Sequence, residues 1–197
     1  MQAILRWINE LDKKVLLLIN SHHSAFWDKI MWFASGETSW YPYYFLLLLL
    51  LIYYYRKQSW LLIILIIPLV FCTDQLASTV IKSMQIRLRP SHIPGIENLL
   101  HYVNNYRGGD YGFISSHACN VSGFTVYATI LTRQKIKWLP YLLFAWASLV
   151  CYSRVYLGVH FPGDVIAALF FGSCTGWMFA LIYQQLQTKF YSSKAYN

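Results

Sequence analysis

Apolar positions along this chain come in long blocks rather than with the period of a strand or of a one-faced helix. A helix that crosses a bilayer needs about 20 mostly apolar residues, and fewer where aromatic belts occupy the interfaces. Five blocks meet that demand. The first, Trp40 to Tyr55, sets the run FLLLLLLI between Trp40, Tyr41, Tyr43 and Tyr44 at one end and Tyr53, Tyr54 and Tyr55 at the other, two interfacial girdles around a hydrocarbon core. The second, Ser59 to Lys82, carries Pro68, a predicted kink, and Asp74, a costly polar insertion. The third, His117 to Leu131, is short and holds Asn120, Ser122, Thr125 and Thr129, which predicts a helix that faces protein rather than lipid. The fourth runs from Trp138 to Tyr156. The fifth runs from Phe161 to Leu186, with Pro162 placed where a first helical turn tolerates its missing N–H.

The first 35 residues fit less well, because VLLLIN is followed at once by SHHS and then by Asp28 and Lys29. Amphipathic interfacial helices are the expectation for residues 1–35, with a re-entrant pair or a sixth span as the alternative. The expected architecture is therefore all-α: a polytopic transmembrane bundle of five spans, or six, forming one domain over residues 1–197. Its core would occupy 36–186.

Composition supports this reading. The 197 residues are 57% hydrophobic, 18% aromatic and only 12% charged, well outside the soluble globular norm. No low-complexity tract, repeat or linker divides them. The N-terminus has acidic residues and no uninterrupted apolar segment before a small-residue cleavage site, so a cleavable signal peptide is not expected. Cys72, Cys119, Cys151 and Cys174 all fall in apolar blocks without metal-site or disulfide spacing and are expected to be small core residues.

Lys and Arg outnumber Asp and Glu by 16 to 8. The basic residues form no single stripe, so nucleic-acid binding is not expected. Membrane orientation accounts for several of them: Arg56 and Lys57, then Arg133, Lys135 and Lys137, then Lys189 and Lys194 fall by parity on one side, which is cytoplasmic by the positive-inside rule. The opposite side receives the loop from Ser83 to Ser116 and the short turn before the fifth span.

On that side polar residues converge from four helix ends. Lys82, Arg87 and Arg89 follow the second span; Ser115, Ser116 and His117 open the third; Arg154 closes the fourth; His160 and Asp164 flank the start of the fifth. Helix N-termini and Arg residues suit phosphate. His160 and Asp164 are four apart, so a carboxylate could hold one ring nitrogen while the other attacks phosphorus, with His117 free to protonate a leaving oxygen. Lys82, Arg89 and Arg154 would meet the developing charge.

The segments KSMQIRLRP (Lys82 to Pro90), SSH (Ser115 to His117) and SRVYLGVHFPGD (Ser153 to Asp164) resemble the three motifs of the type 2 phosphatidic acid phosphatase superfamily of membrane lipid phosphatases. That resemblance implies a metal-independent phosphatase in which His160 becomes a phosphohistidine, Asp164 orients it, His117 is the general acid, and Lys82, Arg89, Arg154, Ser115 and Ser116 bind phosphate. No metal or organic cofactor is implied. The second motif departs from the family's Pro-Ser-Gly-His: Ile114-Ser115-Ser116-His117 replaces Gly with Ser. Either the loop keeps its amides on the phosphate, or the Ser116 hydroxyl takes over a contact.

The expected substrate is a lipid phosphate or polyprenyl diphosphate: undecaprenyl diphosphate, a lipid A phosphate, phosphatidylglycerol phosphate or phosphatidate. Membrane lipids are the expected surroundings, and a bacterial inner membrane with a periplasmic site is the expected location. Two rivals predict different chemistry. A vanadium-haloperoxidase-like oxidoreductase would oxidise halide with vanadate and peroxide, and an inert lipid-phosphate-binding protein would bind without releasing phosphate. Elsewhere, Arg87, His92, His101 and Arg107 read as solvated loop residues, Gly108-Gly109-Asp110 as a turn, and His22 and His23 as interfacial residues lacking a third metal ligand at suitable spacing.

Overall fold

A computed structural model describes residues 2–192. Its α-helices are α1 (Gln2–Ser21), α2 (Ala25–Ser35), α3 (Tyr41–Tyr55), α4 (Ser59–Ile64), α5 (Ile66–Asp74), α6 (Ser116–Thr132), α7 (Leu139–Tyr156) and α8 (Pro162–Gln187). Among the described residues there is no strand, only an isolated antiparallel bridge between Leu88 and Tyr111. The all-helical expectation holds, and each expected span corresponds to helix within a few residues.

Two helical stretches, Thr38–Met84 and Pro162–Phe190, are long and apolar enough to cross a membrane. The first is interrupted at Arg56 (φ 48°, ψ −122°), which separates α3 from α4. It is interrupted again at Leu65, three residues before Pro68, where the proline ring cannot accommodate the regular i to i−4 ladder. Beyond Asp74 the helix widens into a π-helical segment, Gln75–Ile81, which delivers Lys82 to the site.

The tightest contact in the bundle is between α6 and α8. A Cβ added to Gly172 would overlap the Ser122 hydroxyl and the Cys119 carbonyl, and one added to Gly176 would overlap the Gly123 carbonyl. Small residues four apart let two backbones approach, the usual device where lipid supplies no hydrophobic drive between helices. From α5, Thr73 donates to Asn120 Oδ1 of α6 (2.7 Å), and buried Tyr127 of α6 donates to the Leu62 carbonyl of α4 (2.8 Å). These polar residues of the third block do face protein.

Helix α1 packs on α7 and α8, and α2 packs on α7. The inward stripe of α1 is Asp12, Leu16 and Asn20, all buried, while Ile4, Trp7, Ile8, Leu11 and Leu18 face outward. Two of the cysteines do not meet expectation. Cys119 and Cys151 are buried, but Cys72 and Cys174 are exposed. Their helices are apolar on every side, so hydrophobic pattern gives no hint of which face turns inward. Lys194 lies outside the described residues.

Candidate active site

The turn between α7 and α8 presents His160. Gly158 adopts φ 70°, a left-handed conformation that a side chain would strain, and Pro162 then starts α8. The imidazole is 1% exposed. Its Nδ1 lies 2.9 Å from the Gly112 carbonyl, an acceptor, so Nδ1 carries the proton and Nε2 keeps a free lone pair. Burial, reinforced by the nearby charges of Arg89, Arg154 and Lys82, holds this histidine well below its ordinary pKa of 6.5. It is a neutral imidazole in a basic pocket.

Asp164 does not make the hydrogen bond that the four-residue spacing suggested. Its Oδ2 is 3.8 Å from His160 Nδ1 and accepts instead from the Phe161 backbone N–H (2.9 Å). The physical reason is that His160 stands outside α8, before Pro162, so i,i+4 helical geometry does not apply to the pair. The carboxylate is fully buried beside the ring, caps α8, and lies 3.3 Å from Arg87 Nη1. Arg87 Nη1 also donates to Asp12 Oδ2 on α1 (2.5 Å), and its guanidinium stacks over the Phe161 ring at 3.7 Å. Asp12 in turn accepts from the Gly163 N–H (2.7 Å). Arg87, expected to be solvated, thus ties α1 to the start of α8.

Three cations enter the pocket from separate elements. Lys82 Nζ donates to Ser116 Oγ (2.8 Å), Arg89 Nε donates to the Tyr111 carbonyl (3.2 Å), and Arg154 donates through Nη1 to Ser35. Arg89 is pushed below its ordinary pKa by burial and by the neighbouring Arg154. Among the described residues, buried Arg89 Nη1 and Arg154 Nε have no hydrogen-bond partner. Two buried guanidinium donors without acceptors mark a place built for an anion.

Ser115 and Ser116 separate in role. Ser115 is fully buried, its Oγ accepts from the Ala118 N–H as the N-cap of α6, and it is not among the residues that line the pocket. Of the two serines expected to contact phosphate, only Ser116 is on the pocket wall. Ser116 does line the pocket, within 2.9 Å of Ser78 Oγ as well as 2.8 Å from Lys82. His117 lines it too, with Nε2 3.6 Å from Glu37.

The pocket is a cavity of about 860 Å³. Its lining combines Lys82, Arg89, Ser116, His117, Arg154 and His160 with the apolar side chains of Val70, Phe71, Val121, Phe124 and Trp146. A smaller cavity of about 360 Å³ continues from it past Glu37, Thr38, Ser39 and Trp32. Sequence alone did not point to Gly112, Asp12, Ser35 or Glu37. A signal existed only for Asp12, which falls on one helical face with Leu16 and Asn20.

Comparison with known proteins gives the family. Residues 64–189 match the PAP2 superfamily model. A lipid A 4'-phosphatase of Bacteroides thetaiotaomicron is 33% identical over 96% of this chain and 84% of its own length. An undecaprenyl-diphosphatase of Sulfolobus acidocaldarius is 39% identical over 48% of this chain and 42% of its own. In three dimensions the fold is similar to that of a transmembrane PAP2-type phosphatidylglycerolphosphate phosphatase from Bacillus subtilis, at TM-score 0.65 and 20% identity over 90% of this chain and 87% of that one. Aquifex aeolicus LpxE is similar at TM-score 0.60 and 23% identity, over 84% of this chain and 92% of that one. The chain belongs to the PAP2 superfamily, and it is an enzyme of that phosphatase class.

Proposed function

We propose that this protein removes a terminal phosphate from a membrane lipid through a phosphohistidine at His160, and that its substrate is a glycolipid phosphate of the lipid A type. The observation that carries the catalytic reading is the neutral, buried His160, its Nδ1–H spent on Gly112, in a cavity lined by Lys82, Arg89 and Arg154. The choice of lipid rests on the relative that is alike over nearly the whole chain. The cavity's apolar lining suits an acyl chain, and the polar cavity beside it, past Glu37, suits a sugar.

In the first step, His160 Nε2 attacks phosphorus. A P–N bond forms, the P–O bond to the lipid breaks, and the departing oxygen takes a proton from His117. The three cations receive the negative charge that grows on the equatorial oxygens. In the second step, His117 takes a proton from water as that water attacks phosphorus, the P–N bond breaks, and inorganic phosphate leaves His160 neutral again. Asp164 is a positioning residue: fixed by Phe161 and Arg87, it holds the turn that carries His160.

The protein acts as one domain in a membrane, with α3 to α8 as the bundle and the site on the face opposite Arg56, Lys57, Arg133, Lys135 and Lys137. In a bacterium that face is periplasmic by the positive-inside rule. The test is phosphate release by the purified protein and by His160→Ala from lipid A, undecaprenyl diphosphate, phosphatidylglycerol phosphate and phosphatidate. Fastest turnover of lipid A, lost in the variant, is expected. Turnover confined to another lipid would overturn the substrate, and equal turnover by the variant would overturn the mechanism.

A further inference from the structure

The outer loop and the helix pair α1–α2 meet at a cluster that catalysis does not use. His23, in the α1–α2 turn, Asp28, in the first turn of α2, and His101, in the loop between Lys82 and Ser116, each offer a metal-ligating atom, and these atoms all lie within 4.8 Å of one another. This supplies the third ligand that spacing along the chain did not reveal. None of the three lines the phosphate cavity.

The cluster is supported from behind as metal sites are. His101 Nε2 is 2.9 Å from Asp28 Oδ2, while the other carboxylate oxygen, Oδ1, accepts from the buried Tyr156 hydroxyl (2.7 Å). The His101 peptide is clamped on both sides by the buried Asn20 side chain: its N–H donates to Oδ1 (2.8 Å) and its carbonyl accepts from Nδ2 (3.0 Å). Asn20 Nδ2 also donates to the Tyr156 carbonyl (2.8 Å). Groups that orient a ligand from the second layer are a regular part of metal sites. A histidine–aspartate hydrogen bond alone explains His101 and Asp28. It does not explain His23, whose ring lies parallel to that of His101 at 3.7 Å and 7°.

We propose that His23, Asp28 and His101 form a site for a borderline divalent transition metal, zinc above all, with a fourth position open to water. Two imidazoles and a carboxylate suit zinc, cobalt or nickel, whereas magnesium and calcium prefer oxygen. In a tetrahedral site with bonds of about 2.0–2.2 Å the donor atoms stand roughly 3.4 Å apart, so closing the set requires the exposed His23 ring to swing out of its parallel stack on His101 until its lone pair points at the ion. The metal takes the place of the proton between His101 and Asp28. It ties the α1–α2 turn to the outer loop, which also carries Tyr106, the residue beside Arg154 in the phosphate cavity.

The test uses the full chain in detergent, freed of any oligohistidine tag and stripped with chelator, titrated with cobalt(II). One equivalent should give the intense visible bands of a four-coordinate ion, and zinc should displace it. Binding should weaken at least about a hundredfold in His23→Gln and in His101→Gln, since losing a ligand exceeds the ten- to hundredfold cost of losing a second-layer partner. Tyr156→Phe should weaken it by about tenfold, and His22→Gln should leave it unchanged. Zinc should raise the thermal midpoint of the wild type but not of His23→Gln. His23 is exposed, so its replacement leaves the fold intact. Absence of the bands in the wild type, equal binding by His23→Gln, or loss of binding on replacing His160 or His117 instead would overturn the proposal.

Discussion

Arg87 and Asp164 form a partly buried link, Nη1 to Oδ1 at 3.3 Å, through which helix α1 reaches the turn that carries His160. The same Arg87 nitrogen holds Asp12 at 2.5 Å, and Asp12 in turn holds the Gly163 amide. A carboxylate with no exposure depends on such partners to stay in place. Arg87→Met should therefore lower kcat by about ten- to a hundredfold with little change in KM, because it disturbs orientation rather than phosphate contact. Asp12→Asn should do the same more mildly. Steady-state kinetics on a lipid phosphate decides it, and a rise in KM alone would make Arg87 a substrate contact.

The depressed pKa of His160 sets a pH test. A nucleophilic imidazole loses reactivity only as pH falls through its own pKa, and here that lies well below 6.5. An ordinary histidine loses roughly fourfold in its neutral fraction between about pH 7.5 and 6. Carbethoxylation of the peptide carrying His160, followed by mass spectrometry, should stay flat over that interval. A fourfold fall would mean an ordinary histidine.

Ser115 and Ser116 should part company under substitution. Ser115→Ala removes a helix cap and should cost about 1 kcal/mol in thermal or denaturant unfolding while leaving inhibition by inorganic phosphate as it was. Ser116→Ala removes the hydroxyl that receives Lys82 and should weaken phosphate inhibition several-fold without that loss of stability. The reverse pattern would return Ser115 to the phosphate site.

Gly176 has no part in the chemistry, yet it should be among the least replaceable positions. A larger residue there meets the Gly123 backbone, and Gly176→Leu should destabilise by at least about 1–3 kcal/mol, read as a lowered midpoint in detergent. An unchanged midpoint would mean that α6 and α8 are held apart.

Much of this was legible in the sequence because blocks of apolar residues and short motifs are local properties. The helices α3 to α8 and the set Lys82, Arg89, His117, Arg154 and His160 follow from them, and all five side chains line one cavity. What sequence could not show is long-range. Asp12 is far along the chain from the Gly163 amide that it caps, and His23 from the His101 ring on which it stacks. Gly112 orients His160 through a carbonyl, which every residue possesses, so no residue type could announce it. The expected hydrogen bond from Asp164 to His160 is missing for a local reason instead: Pro162 starts α8 after His160, so the four-residue spacing has no helical meaning there. Facing directions of Cys72 and Cys174 were hidden by helices apolar all round.

The central claim is covalent catalysis by His160, and the most direct measurement is to trap the intermediate. Wild-type protein mixed with radiolabelled lipid phosphate and quenched within one turnover should carry a phosphoryl group that survives base, is lost in acid and maps to His160. It should be absent from His160→Ala. Label on another residue would contradict the account, and so would direct transfer to water with no labelled protein at any time.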